Sequence, residues 1–340
     1  MAEIKVSIVI LTYNQLELTK KCIESIEKNT DVNYELVFVD NASSDGSPEF
    51  LETYCRDTEG YCAAKKLIKN NRNVGFAPGV NQGLDCCEGV YVCLLNNDTV
   101  VTNNWITDMI KCLERDEKAE IVGPVSAGTF FPQYVESINH MDGKISETSI
   151  LYGFCEVFRR DLLFRIGCLD ERYRIGNFED HDFNERVIKL GGKLLIAGSV
   201  YVEHWCHKAW KSPLQLDYTT VKNKKKFQEK WGTVKELDST HKTQKYYECE
   251  TGTVFIVENN QDYQNCIERI EDERIIEDEI VIVDSYSDGV ELEGIIEKLT
   301  TTKRIIRVRV PQNHNLTKKE LFKIGLNNSF AKKINMDKGK

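Results

Sequence analysis

Val90-Tyr91-Val92-Cys93-Leu94-Leu95-Asn96-Asn97-Asp98 is the stretch on which the reading of this chain turns. Six apolar or aromatic residues run straight into two amides and a carboxylate. A short unbroken apolar run suits a strand buried on both faces of a sheet. Asp98 then stands at or just past the carboxyl end of that strand, and ligands of open α/β sheets bind outside those ends. A carboxylate there can hold a divalent metal, and a hard metal in turn holds phosphate oxygens. The competing reading makes Asn97-Asp98-Thr99 a plain turn, with Asp98 capping the next helix.

Upstream of this strand the pattern alternates. Lys5 to Leu11 reads as a buried first strand, followed by Thr12-Tyr13-Asn14. A helix from about Leu16 to Asn29 places Leu18, Cys22, Ile23 and Ile26 on one face. Tyr34 to Val39 is a second strand ending in Asp40. The turn Asn41 to Pro48 opens a second helix near Pro48. Asn71 to Leu84 looks like a loop feeding a helix. Strand and helix alternating at this spacing predict a parallel sheet with crossover helices.

Downstream, Ile121 to Val125 is a short apolar segment, and residues 126 to 150 read as loop and edge structure. Gly153 to Arg160 reads as a strand. Gly176 to Asp182 precedes an amphipathic helix through Leu190. Lys193 to Ala197 is another short strand, Tyr201 to His207 closes this half, and a helix around Lys222 to Lys230 stops at Trp231-Gly232.

Composition narrows the class. With 340 residues, 41% hydrophobic and 29% charged, the chain is globular and larger than one ordinary domain. A net charge of -9 argues against a broad nucleic-acid surface. The 12 cysteines form no C-x-x-C pair, so no structural zinc site is expected. No stretch has transmembrane length and the first apolar run is too short for a signal peptide, so the expected setting is the reducing cytoplasm. Contact with the inner face of the cell membrane, or with a second copy, stays open.

Several motifs in one order resemble a known family. Val-Ser-Ile-Val-Ile-Leu-Thr-Tyr-Asn (6–14), Val-Asp-Asn-Ala-Ser-Ser-Asp-Gly-Ser (39–47), Asn-Val-Gly-Phe-Ala-x-Gly-x-Asn-x-Gly-Leu (73–84), Leu-Leu-Asn-Asn-Asp-Thr-Val-Val (94–101), Glu-Asp-x-Asp (179–182) and a late Val-x-His (202–204) look like the inverting family 2 glycosyltransferases of GT-A fold. The Asn-x-Asp and Gly-Phe-Ala forms look most like rhamnosyltransferase-like members, which commonly build bacterial surface polysaccharides. The resemblance runs from about Val6 to Gly232.

It implies a nucleoside-diphosphate sugar donor, a glycan, lipid-linked glycan or protein acceptor, and a divalent metal, Mn2+ or Mg2+. Charge that builds on the leaving diphosphate needs such an ion. Asp98 is the implied ligand, assisted by Asn96 and His204, with His207 as a substitute; Asn96 stands where the family usually has a second carboxylate. Asp40 resembles the residue that accepts from the pyrimidine base. Thr12, Tyr13, Asn14, Arg72 and Asn97 are implied around the donor. Inversion needs a base opposite the leaving group. By position that is Asp180, with Glu179 orienting the base or acceptor.

The C-terminal part echoes the N-terminal part. Cys22-Ile23-Glu24 returns as Cys266-Ile267-Glu268, and Glu35 to Asp40 as Glu279 to Asp284, both at an offset of 244 (266 − 22 and 284 − 40). Ser287-Asp288-Gly289 mirrors Ser44-Asp45-Gly46, and Ser329-Phe330-Ala331 echoes Gly75-Phe76-Ala77. The expected organisation is a GT-A domain over 1–235, a linker over 236–250 and a partial, truncated second unit over 251–340. That unit should have strands at Thr253–Val257 and Glu279–Val283, a helix through Cys266, a further strand at Arg304–Val310 and no central strand. The expected function is metal-dependent inverting sugar transfer to a hydroxyl. The rival is a GT-A module that binds a nucleotide or glycan without turnover.

Overall fold

The computed structural model describes residues 5–57, 62–205, 213–231, 249–271, 279–286, 304–312, 314–329 and 331–336. His207, Ser287-Asp288-Gly289 and residues 236–248 of the expected linker lie outside these. Two sheets organise the chain.

The first sheet begins with β1 (Val6–Thr12), β2 (Tyr34–Asp40), β3 (Ala64–Lys69) and β4 (Tyr91–Leu95), in spatial order β3-β2-β1-β4 and all parallel. Helices α1 (Leu16–Asn29), α2 (Ser47–Arg56) and α3 (Phe76–Leu84) make the crossovers. The period of two along each strand divides the core. Val6, Ile8, Ile10, Leu36, Phe38, Cys93 and Leu95 pack under α1 and α4 (Trp105–Arg115). Val9, Val37, Val92 and Leu94 face α3 through Ala77, Val80 and Leu84. β3 was not anticipated: Ala-Lys-Lys-Leu-Ile-Lys is half-buried edge strand, and its lysines hide the pattern.

The sheet continues as β4-β8-β6-β9-β5, with β8 (Cys155–Arg159) antiparallel to both neighbours. β6 is Ala119–Val125, and β5 (Thr99–Val101) follows β4 directly. The two segments expected near 193–204 are one strand, β9 (Lys193–His204). It pairs with β6, with the edge strand β7 (Ile145–Thr148), and at its far end with β5. That last pairing sets His204 opposite Thr99. A short helix α5 (Leu163–Ile166) and α6 (Glu179–Lys189) flank the sheet, and α7 (Pro213–Trp231) follows.

The second sheet comprises β10 (Cys249–Val257), β11 (Glu279–Asp284), β12 (Arg304–Arg309) and β13 (Ala331–Met336), with α8 (Asn260–Glu271) and α9 (Lys318–Asn328). Residues 249–250 thus belong to β10 rather than to a linker. The order β12-β11-β10-β13, all parallel, has the same connectivity as β3-β2-β1-β4. The expected gap at the central strand is therefore corrected: β13 occupies it. Ser329 correspondingly caps the end of α9 and Ala331 opens β13, neither at the start of a helix, so they do not match Gly75-Phe76-Ala77. The matching glycines are Gly83 in α3 and Gly325 in α9. A Cβ on Gly83 would meet Val9 Cγ1 at 2.5 Å, and one on Gly325 would meet Val254 Cγ1 at 2.5 Å. Each glycine lets its helix lie close on the first strand of its sheet.

The two sheets are joined by a buried seam. Val254, Val281, Val283, Ile306 and Val308 share a core with Tyr173 and with Phe227 and Trp231 of α7. Arg307 bridges Asp284 at 2.7 Å and Glu171 at 2.8 Å, and Arg309 reaches Asp85 at 2.8 Å. Lys230, almost fully buried, meets Asp170 at 2.8 Å and Asp182 at 2.7 Å.

Candidate functional site

Two groups of side chains lie at the carboxyl ends of β1, β2 and β4, and a third lies at the start of α6 beside the segment that opens β8. At the first, Asp40 ends β2 beside Thr12. Thr12 Oγ1 donates to Asp40 Oδ1 at 3.2 Å, and the Ser43 amide donates to Oδ2 at 3.1 Å. Thr12 is fully buried, so its role is to hold Asp40. Asn14 adopts a left-handed φ of 59° and stitches the turns after β1 and β2 together. Its amide N–H donates to Ser43 Oγ at 2.7 Å, and its Oδ1 accepts from the Ser44 amide at 2.8 Å. Tyr13 is half-buried beside them, and Arg72 is exposed in the loop before α3. The Asn97 amide donates to Thr19 Oγ1 at 2.9 Å and to the Asn14 carbonyl at 3.4 Å, which holds the turn before Asp98 against α1 and the turn after β1.

The second group surrounds Asp98, which is nearly buried at the end of the central strand. The β5–β9 pairing brings His204 to it, with His204 Nε2 3.4 Å from Asp98 Oδ1 and 3.4 Å from Asn96 Nδ2. The other ring nitrogen, Nδ1, lies 2.7 Å from the Gly128 carbonyl. A carbonyl only accepts, so Nδ1 carries the proton and a neutral ring turns its Nε2 lone pair toward Asp98. The ring also stacks on Phe154, centroids 4.9 Å apart. A Cβ on Gly128 would sit 1.7 Å from the His204 carbonyl oxygen, so this contact requires glycine. One carboxylate, one imidazole with a fixed tautomer and one amide at a single point suit a divalent ion. Among the described residues no cluster of three His, Cys, Asp or Glu side chains forms a closed metal cage. The donor set here, with one amide, is the open kind that leaves positions for a ligand.

The third group sits at the start of α6. Asp180 Oδ1 accepts from His181 Nδ1 at 2.7 Å and from the His181 amide at 2.8 Å, while Oδ2 accepts from the Gly153 amide at 3.1 Å. Burial pushes the Asp180 carboxyl up, but His181 and these N–H donors outweigh it and hold it below the usual carboxylate range. Burial would lower the His181 imidazole, and Asp180 raises it instead. Glu179 and Glu156 behave oppositely. Burial, reinforced by Asp180, drives both well above the usual carboxylate range. Each also keeps one carboxyl oxygen buried without a hydrogen-bond partner. Asp182, the last acid of the motif, is fully buried against Arg186, Lys230 and Trp231 and anchors the helix.

The loop before α6 also touches the turn that opens α3. The Phe76 amide donates to the Arg174 carbonyl, and a Cβ on Gly75, at φ 106°, would lie 2.3 Å from that same oxygen. Asn41 ties the same loop down through Asn73 and the Gly75 carbonyl. Sequence reasoning missed Glu156, Gly128, His181 and Asn41. Only Glu156 left a local signal, an acid inside the apolar run Cys155 to Phe158.

The mixed sheet, with a buried carboxylate just past its central strand, has the GT-A architecture. Residues 7–169 match the family model described as Glycosyl transferase family 2. An uncharacterized glycosyltransferase of Haemophilus influenzae (strain ATCC 51907 / DSM 11121 / KW20 / Rd) is 27% identical over 118 residues, 35% of each chain. The glycosyltransferase GlyG of Streptococcus pneumoniae serotype 4 (strain ATCC BAA-334 / TIGR4) is 26% identical over 118 residues, 35% of this chain and 38% of that protein. The matches therefore span little more than a third of these relatives. The crystal structure of GalNAc-T7 with UDP, GalNAc and Mn2+ superposes with a TM-score of 0.56 and 17% identity, over 89% of this chain and 55% of that one, which establishes the shared fold. Among the described residues no helix is long and apolar enough to cross a membrane.

Proposed function

We propose that the chain transfers a sugar, with inversion, from a nucleoside-diphosphate sugar to a hydroxyl of a glycan, lipid-linked glycan or protein acceptor, as in the building of surface polysaccharide. The observation that carries this reading is Asp180: a carboxylate held low by His181 that accepts from the Gly153 amide, next in sequence to Phe154, whose ring stacks on His204 and whose carbonyl accepts from the Asn96 amide. Asp40, Thr12, Tyr13 and Asn14 would hold the base and ribose, with Arg72 beside the phosphates. Asn97 contributes by fixing the turn that aims Asp98. Asp98, His204 and Asn96 would hold Mn2+ or Mg2+, which when bound neutralises charge on the departing diphosphate. Asp180 takes the acceptor hydroxyl's proton as the new bond forms. Glu179, kept protonated beside it, adds no second negative charge and orients the base.

We read residues 1–235 as the catalytic domain and the second sheet as a partial GT-A-like unit without its own site. The carboxylate that ends β11, Asp284, is fully buried in an ion pair with Arg307, which supports that assignment. The test is a screen of nucleotide sugars for manganese-dependent hydrolysis, followed by a glycan acceptor array. Nucleotide binding without turnover of any donor, even with acceptor present, would instead favour the non-catalytic module, a reading to which Asn96 in place of a carboxylate lends weight.

A further inference from the structure

The loop between β6 and β7 presents two phenylalanines to solvent beside the proposed base. Phe130 is 57% exposed and Phe131 72% exposed. They are not on a loose tip, because both flanks are pinned. Gln133 is fully buried, donating to the Pro124 carbonyl at 2.8 Å and accepting from the Tyr152 amide at 2.7 Å. On the other flank, the Gly128 carbonyl is held by His204 at 2.7 Å. Exposed aromatic surface held in place by buried polar anchors is what a binding site shows.

The aromatic series leads to the chemistry. The Phe130 ring lies 5.5 Å from Tyr152, and Tyr152 lies 5.8 Å edge-on from His181, whose Nδ1 bonds Asp180. The Tyr152 hydroxyl donates to the Phe131 carbonyl at 3.4 Å, which ties the platform to the segment whose Gly153 amide donates to Asp180. We infer that Phe130 and Phe131 form the acceptor platform, on which the C–H face of an acceptor pyranose ring stacks so that one of its hydroxyls reaches Asp180. A sugar ring satisfies both demands of this place: an apolar face for the aromatics and a hydroxyl edge for the carboxylate. An extended lipid chain would need a continuous apolar surface, and here the exposed Tyr134 and Ile138 are interrupted by exposed Glu136, His140, Asp142 and Lys144. This inference rests on the transferase reading for the role of Asp180.

The test uses methyl glycosides of glucose, galactose, N-acetylglucosamine and rhamnose, titrated by NMR into the full chain with Mn2+ and UDP or GDP. At least one should bind with saturation transfer to its ring C–H face. Phe131→Ala should weaken it about three- to tenfold, the effect of one lost aromatic contact, and Phe131→Trp should restore it. Thermal unfolding of each variant guards against a folding defect, and Phe130→Ala gives an independent second variant. Equal affinity in both alanine variants overturns the platform. So does a chain that binds no glycoside but partitions onto phosphatidylglycerol vesicles through Phe131, which would make the loop a membrane contact. The titration needs no turnover, so a chain that hydrolyses no donor refutes the transferase reading without deciding this one.

Discussion

Replacing Asp180 by asparagine separates the base from its scaffold. The carboxylate accepts three N–H bonds, two from His181 on Oδ1 and one from Gly153 on Oδ2. An amide of the same shape offers one oxygen. If it faces His181, its NH2 group points at the Gly153 N–H; if it faces Gly153, two donors of His181 are stranded. An unmatched buried donor costs about 1–3 kcal/mol, so the urea midpoint should fall by a corresponding, measurable amount while the fold survives. The rate loss should be larger. A missing general base lowers the rate by about 10²–10⁴-fold, roughly 3–5 kcal/mol of barrier. Donor affinity, read by calorimetry, should hardly move. The pH dependence supplies an internal control. Asp180 is shifted down, so its contribution to stability is present above the ordinary carboxylate value and is lost as pH falls through its lowered one. His181 is shifted up from 6.5, so its contribution is present below that value and is lost as pH rises through the raised one. The stability gap between wild type and Asp180→Asn should therefore be widest from mildly acid to neutral pH and narrow at both ends. Near-normal transfer by the variant would refute the assignment of the base, and a gap independent of pH would refute the ion pair.

Asp98→Ala should abolish manganese-dependent binding of nucleoside diphosphate while leaving thermal unfolding near wild type; unchanged calorimetric binding would remove Asp98 from the site. Lys230→Met strands Asp170 and Asp182 around an apolar side chain, and breaking a buried pair from one side costs about 3–5 kcal/mol. An unchanged urea midpoint would show that Arg172 and Arg186 suffice without the lysine. Ending the chain at residue 245 should expose Phe227, Trp231 and Tyr173, which share their core with β10 to β12. We expect lost cooperativity in unfolding, and a sharp transition at the wild-type midpoint would show that the first domain stands alone.

Much of this was legible in the chain because it is local. β1, β2 and β4 are apolar runs interrupted only by the mutually bonded Ser7 and Glu35, and a polar residue, Thr12, Asp40 or Asp98, stands at or just past each strand end. The start of α6 was readable for the same reason, as acids massed before an amphipathic run. What was not legible depends on partners far away in sequence. Nothing near Asp182 says that it is spent on Lys230 and Trp231 while its neighbour Asp180 stays at the site. Nothing near Gly128 says that its carbonyl fixes the tautomer of His204. β13 was missed because Ala-Lys-Lys-Ile-Asn-Met has no apolar run, and it is strand only because β10 offers an open edge.

The seam that joins the two sheets also sets an order of events during synthesis. The base loop rests on residues made much later: Glu171 on Arg307, the Cys168 amide on the Arg309 carbonyl, and Arg172 on the Ile305 carbonyl. A ribosome that has finished α7 at Trp231 must still add 78 residues (309 − 231) before the last of these contacts can form. At about 5–20 residues per second that interval is roughly 4–16 s. Through it the nascent chain can already close β1 to β4 around Asp40 and Asp98, while the segment bearing Asp180 waits for its support. Binding of the donor nucleotide should thus become possible seconds before transfer does, and a nascent chain stalled short of β12 would hold a donor that it is not yet built to use.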